Sequence, residues 1–215
     1  MKVTVTFDNG PSRLVTPRVL KTLAARQVRA TFFVLGKHLE VWELREIAVR
    51  AHREGHRVGN HTYSHEIPLG RLVRPEDAVA EILSTNALLG KLAGDERLFR
   101  PFGDGTVGPH LLNRPAWDTL VEYGFTCVLW NCVAPEASMP DTWMAPTLEI
   151  CERQSWSVVV LHDIPTGATQ QLDRFLGMLI DRGAEFSQDF PAECTPLVRG
   201  KRVGAFEHLM ATSEQ

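Results

Sequence analysis

Cysteine is scarce and unpatterned: Cys127, Cys132, Cys151 and Cys194 are the four in 215 residues, and no two form a Cys-x-x-Cys pair. That spacing excludes a zinc ribbon or a disulfide framework, so free, mostly buried thiols in a reducing compartment are expected. No apolar run reaches the roughly 18 residues of a membrane span. The first residues carry no charged segment followed by an apolar stretch, and the expected location is cytoplasmic. A large excess of charge of one sign is missing as well, with 23 Lys and Arg against 26 Asp and Glu for a net charge of −3. Such a balance argues against a nucleic-acid surface and against a polybasic membrane anchor. Internal repeats, linkers and low-complexity stretches are absent too, which predicts one domain over residues 1–215. Its 44% apolar and 23% charged residues suit a full core. Oligomeric state leaves no mark in the sequence.

What is present is an alternation of short β-rich runs with longer segments of helical period. Val3–Phe7 reads as a strand ending in the turn signal Asp8-Asn9-Gly10-Pro11. Thr16 is placed to cap a helix to about Gln27, with Pro17 at its first position. Further strands are expected at 30–35, 57–59, 98–100, 125–130, 157–161 and 184–186. Helices are expected at 41–54, 75–92, 111–123 (broken at Pro115) and 170–181, with a short one near 205–210. The run Ser157–Leu161 is nearly all apolar, as in a parallel strand covered on both faces. Six or seven βα units imply a parallel sheet flanked by helices, open or closed into a barrel. The chain falls short of the ~250 residues of an eight-unit barrel.

Polar residues gather where these strands end. Asp8 and Asn9 close the first, His61 and His65 follow the third, Arg100 ends the fourth and His162-Asp163 ends the sixth. In parallel α/β folds those ends converge on one mouth, where chemistry is placed. Each residue also has a plainer reading. Asp8 suits an Asx turn or helix cap, and Arg100 a surface position or a buried ion pair. His61 and His65, four apart, would share one side of a helical turn as metal ligands or stand as surface histidines. His162 is either a satisfied buried histidine or a general acid.

Taken together, Thr6-Phe7-Asp8-Asn9-Gly10-Pro11, Gly59-Asn60-His61-Thr62-Tyr63-Ser64-His65, Phe99-Arg100-Pro101-Phe102-Gly103 and Val160-Leu161-His162-Asp163 resemble the ordered motifs of the polysaccharide deacetylases. This is the NodB-homology group, carbohydrate esterase family 4. Ala30–Gly36 and Glu54-Gly55-His56 resemble the same family, and the likeness spans about residues 3 to 180. It implies a distorted (β/α)7 barrel that hydrolyses N-acetyl groups of amino sugars, usually with a divalent metal such as Zn or Co. It implies Asp8 as the base, His162 as the acid, Arg100 as the partner of Asp8, and the Phe102 backbone N–H at the oxyanion. His61, His65 and residue 9 would hold the metal.

Three departures from the family pattern stand out. Asn9 replaces the aspartate that supplies the third ligand, so the metal site is expected to be weak or empty. The Arg100 motif is one residue short and carries Phe102 where tyrosine is common. The family's Asp-plus-Trp motif is displaced, leaving Asp141, near Trp143, as the first choice to tune His162 and Glu136 as the second. Trp130, Met139, Trp143 and Met144 are candidates for an apolar or sugar-stacking wall, with core packing the alternative. The expected substrate is an N-acetylated amino sugar or oligosaccharide. A metal-independent hydrolase of a small amide or ureide, allantoinase-like, is the alternative that Asn9 favours. A catalytically dead carbohydrate-binding relative is the third reading.

Overall fold

The protein is described by a computed structural model covering residues 1–165 and 168–211. Its elements run β1 (Lys2–Asp8), α1 (Thr16–Ala25), β2 (Thr31–Val34), α2 (Gly36–Leu39), α3 (Trp42–Arg53), β3 (Arg57–Asn60), α4 (Asp77–Leu89) and β4 (Leu98–Phe99). There follow α5 (Arg114–Glu122), β5 (Thr126–Cys127), β6 (Cys132–Val133), α6 (Met144–Arg153), β7 (Trp156–His162), α7 (Leu172–Asp181), β8 (Glu185–Ser187), β9 (Leu197–Val198) and β10 (Lys201–Arg202). The sheet order is β10-β9-β5-β4-β3-β2-β1-β7-β6, with β8 beside the first half of β1. The pairings from β4 through β3, β2 and β1 to β7 and β6 are all parallel.

Closure follows from the segment between β5 and β6. Thr126 and Cys127 pair with β4, and six residues on Cys132 and Val133 pair with β7. One bent strand therefore joins the two flanks of the sheet and makes the wall a distorted (β/α)7 barrel. At the bend the Asn131 side chain stands in for a backbone rung. Its Oδ1 accepts Val158 N–H at 2.7 Å and its Nδ2 donates to Trp156 O at 3.0 Å.

Strand alternation sorts the side chains into two sets. Val3, Val5 and Phe7 of β1 join Val159 and Leu161 of β7 in a core completed by Leu20 and Leu23 of α1 and Phe175, Leu176 and Leu179 of α7. Each fully buried side chain of this kind contributes about 1.5–3 kcal/mol. The opposite parity, Thr4, Thr6 and Asp8 with Val158, Val160 and His162, faces the barrel interior. Gly59 is required on that inner face, because a Cβ there would come within 2.7 Å of the Phe33 ring.

Several sequence expectations need correction. Thr16 is the first residue of α1 rather than its cap, and its hydroxyl donates to Asp163. Pro115 lies in the first turn of α5, where a missing N–H costs nothing, so no break occurs. The strand expected at 125–130 is reduced to β5 by the bend. Strand β6, helix α6 and the β9–β10 hairpin had no expected counterpart. The helix expected near 205–210 is a single 3-10 turn, Glu207–Leu209.

Asn113 caps α5 and ties it to two neighbouring loops. Its Oδ1 accepts Ala116 N–H at 2.9 Å, while its Nδ2 donates to Leu69 O and Pro75 O. Asn113→Ala removes the cap and strands buried carbonyls, so a loss of about 2–4 kcal/mol is expected. Urea unfolding should show a lower midpoint at an unchanged slope; a loss under about 0.5 kcal/mol would mean that the cap is dispensable.

Candidate active site

Four strands deliver four polar residues by the same parity. Asp8 ends β1 on the inward face set by Thr4 and Thr6, and His162 ends β7 on that of Val158 and Val160. The two are direct register partners, which places their chains about 4.8 Å apart. His61 follows Gly59 inward past β3, and Arg100 follows Leu98 inward past β4. Interior polarity at the C-terminal ends of these strands is thus a consequence of alternation.

Arg100 is fully buried and spans the interior. Its Nη1 donates to Asp8 Oδ1 at 2.9 Å and to Thr6 Oγ1 at 2.7 Å, and its other nitrogens reach Val128 O and Leu129 O. The guanidinium carbon lies 4.1 Å from the Phe33 ring centroid. Thr6 was not singled out from the sequence, although its inward parity beside Asp8 is readable there. Burial pushes the Asp8 carboxyl up, but Arg100, His61 and His162 outweigh it and hold the pKa below the ordinary 3.8. Its Oδ2 has no Arg100 contact and stands 3.7 Å from His61 Nε2.

His61 Nδ1 is 2.9 Å from Arg100 O. A carbonyl only accepts, so the proton is on Nδ1 and Nε2 keeps its lone pair. His61 and His65 do not share a helical turn. They lie on a loop in which Thr62 and His65 have positive φ, 68° and 55°, and their ring centroids are 5.0 Å apart. The loop is held by Thr62 O and Tyr63 O, which accept from the backbone of α2. Glu81 Oε2 also accepts Tyr63 N–H and Ser64 N–H at 2.9 Å each. Burial, followed by the neighbouring His61, lowers the His65 pKa to about 3, so its imidazole is neutral. The Phe102 ring covers it at 3.7 Å between centroids.

His162 Nδ1 meets Glu136 Oε1 at 2.5 Å. Glu136 is buried, whereas Asp141 is exposed. The carboxylate on His162 is therefore Glu136, and the expectation for Asp141 is overturned. Burial lowers the His162 pKa, but the Glu136 hydrogen bond and the charge of Asp8 win and raise it above 6.5. Trp143 is also displaced from the expected wall: it is fully buried and packs on Phe175 at 4.8 Å. Met144 is buried and Met139 is exposed, and neither lines the cavity. Trp130 does line it, and its Nε1 donates to Gly105 O at 3.2 Å.

Asp8, His61, His65, Trp130 and His162 surround a cavity of about 210 Å³ that includes Asn9, Phe102, Val133 and Val160 in its lining. Among the described residues no three His, Cys, Asp or Glu side chains form a cation cage. The donor set is completed by an amide: Asn9 Oδ1 is buried in the same cavity wall with no hydrogen-bond partner. Asn9 sits at φ 73°, a conformation asparagine tolerates better than most residues. A buried carbonyl oxygen without a donor, lining the same cavity as two neutral imidazoles, fits a bound cation.

A family model described as polysaccharide deacetylase matches residues 1–128. The chain belongs to the polysaccharide deacetylase family. Among its relatives, a peptidoglycan-N-acetylglucosamine deacetylase of Bacillus cereus is 32% identical over 190 residues, covering 86% of this chain and 66% of that protein. The peptidoglycan-N-acetylglucosamine deacetylase PgdA of Listeria monocytogenes is 28% identical over 187 residues, covering 86% of this chain and 37% of that protein. The chain thus spans about two thirds of the first relative and just over a third of the second. A family 4 acetyl xylan esterase from Clostridium thermocellum, solved with a cobalt ion, is 26% identical at a TM-score of 0.70, with 87% of each chain covered. No helix among the described residues is long and apolar enough to cross a membrane.

Removing the Glu136 charge leaves burial of His162 less opposed. In Glu136→Gln the His162 pKa should fall, as read by NMR titration of the imidazole. The wild-type pairing raises a histidine pKa, so its stabilisation is full below the unfolded value near 6.5 and is lost as pH rises through the folded value. The stability gap between wild type and variant should therefore narrow with rising pH. An unchanged His162 titration would remove Glu136 from this role.

Proposed function

We propose that this chain hydrolyses the N-acetyl amide of an amino sugar in a polysaccharide or oligosaccharide, with Asp8 as base and His162 as acid. The observation that carries the reading is the pairing of two polarised groups at one register step. Asp8 is held ionised by Arg100, and His162 is held basic by Glu136. Family membership supports the reaction class, and relatives named for peptidoglycan deacetylation support the substrate class.

In this scheme Asp8 Oδ2, the oxygen not bonded to Arg100, takes a proton from water as the water oxygen bonds to the acetyl carbon. With Nδ1 engaged by Glu136, His162 Nε2 gives its proton to the sugar nitrogen as the C–N bond breaks. Acetate and a free amine result, and each transfer of this kind contributes about 10²–10⁴-fold. By family resemblance, the Phe102 backbone N–H is a donor to the developing oxyanion. His61 Nε2, His65 and Asn9 Oδ1 would hold a divalent cation such as zinc or cobalt. When bound, it supplies Lewis-acid polarisation. All three protein donors are neutral, so the site binds a dication more weakly than one with a carboxylate at position 9. The same neutrality supports a second reading, a metal-independent hydrolase of a small amide.

Two experiments test these assignments. Asp8→Asn and His162→Ala should each lower kcat on an N-acetylated oligosaccharide by about two to four orders of magnitude; near-native turnover in both would overturn the roles. Asn9→Asp should raise zinc and cobalt affinity in calorimetric titration and lower the metal concentration needed for turnover. Equal affinities would mean that residue 9 is not a ligand. Turnover by wild type that persists in chelator would select the metal-independent reading.

A further inference from the structure

One buried carboxyl at the mouth has no part in the scheme above. Asp163 follows His162, so strand parity turns it outward, toward the start of α1. Its Oδ2 accepts the Thr16 hydroxyl at 2.5 Å, and Thr16 Oγ1 accepts Ser12 N–H at 2.7 Å. Its Oδ1 is buried with no hydrogen-bond partner. The carboxyl is pressed against Gly10, where a Cβ would stand 2.2 Å from Oδ2 and 2.3 Å from Oδ1. From the other side, Gly10 O accepts Leu35 N–H at 3.1 Å and stands 3.3 Å from His38 Nδ1. Gly10 is thus gripped between the end of β7 and the junction of β2 with α2, directly after Asp8 and Asn9.

We propose that Asp163 and Thr16 form a clamp that fixes the Asn9–Gly10 turn, making Asp163 a positioning residue for the Asp8 carboxylate and the Asn9 amide. The proposal rests on the deacetylase reading for what is positioned, and on packing alone for the clamp itself. A buried acceptor without a donor is costly, and native structures hold few of them. Burial pushes the Asp163 pKa up to about 7, which moderates that cost because the carboxyl need not be fully charged. A helix cap alone would require only the Thr16 contact. It would not explain a carboxyl set so close to Gly10 that no side chain fits between them.

The test compares Thr16→Val, Thr16→Ser, Gly10→Ala and Gly10→Ala/Asp163→Ser in the full chain. Hydrogen exchange at the Leu35 amide, which bonds to Gly10 O, reads the clamp without reference to activity. Exchange should quicken about ten-fold or more in Thr16→Val and Gly10→Ala, and stay near wild type in Thr16→Ser. For turnover of an N-acetylated oligosaccharide, the first two variants should lose about ten- to a hundred-fold in kcat with little change in KM, since misplacement by a fraction of an ångström acts on the chemical step. The double variant should recover at least part of what Gly10→Ala loses, because the colliding carboxyl is gone. The clamp is overturned by wild-type exchange in Thr16→Val, by equal damage in Thr16→Ser, or by a double variant worse than Gly10→Ala. If Thr16→Val does not fold, the Gly10→Ala pair decides. A wild type that turns over no N-acetyl substrate would sink the deacetylase reading, and the exchange rates would still decide on the clamp.

Discussion

The interior of this barrel is organised around the Arg100 guanidinium. A fully buried cation needs a carboxylate and acceptors for its remaining donors, because its desolvation is otherwise prohibitive. Asp8, Thr6, Val128 O and Leu129 O meet that requirement from β1 and from the bent segment after β5. The same requirement fixes the charge state of Asp8. Asp8 cannot shed its proton cheaply in a buried setting unless a cation is near, and the cation cannot stay buried without Asp8. Structure and chemistry therefore depend on one ion pair, and the backbone oxygen of the same arginine sets the tautomer of His61.

A second pair, His162 with Glu136, shows how far sequence reading reached. Asp8, His61, Arg100 and His162 were legible because each closes or directly follows a strand-like run, where alternation dictates the face. Glu136 was harder to place, since it lies on a loop with Pro135, Ser138 and Pro140 and no periodicity to orient it. Asp141 and Glu136 look alike in a string of letters; burial separates them, and only packing reveals burial. The same ambiguity put Trp143 in the cavity wall, because an aromatic residue near a motif serves a core as well as a site. Helix α6 went unread for a related reason: its start is masked by the irregular stretch before it, and Pro146 falls in its first turn. The histidine loop was misread as helical because a spacing of four is also met by a turn with two left-handed residues.

The departures from the family pattern form a consistent set. Position 9 gives up a negative charge but keeps an oxygen in a buried, donor-free place. Glu136 supplies a carboxylate to His162 from a loop. The cavity keeps the Asp8–Arg100 and Glu136–His162 pairs, while His61, His65 and Asn9 line its other side with neutral groups, so the charged and the neutral parts of the wall are set by different residues.

The Asn131 bend carries a consequence for how this architecture tolerates change. Because a side-chain amide completes the β7 ladder there, the wall is closed before the chain reaches residue 134. Insertions or deletions between residues 134 and 143 would lengthen or shorten a loop outside the ladder without shifting any strand against its neighbour. The carboxylate that partners His162 rides on that loop. A loop outside the strand ladder can thus exchange one acid for another, at a different distance along the chain, while the strands that carry Asp8, His61, Arg100 and His162 stay in register.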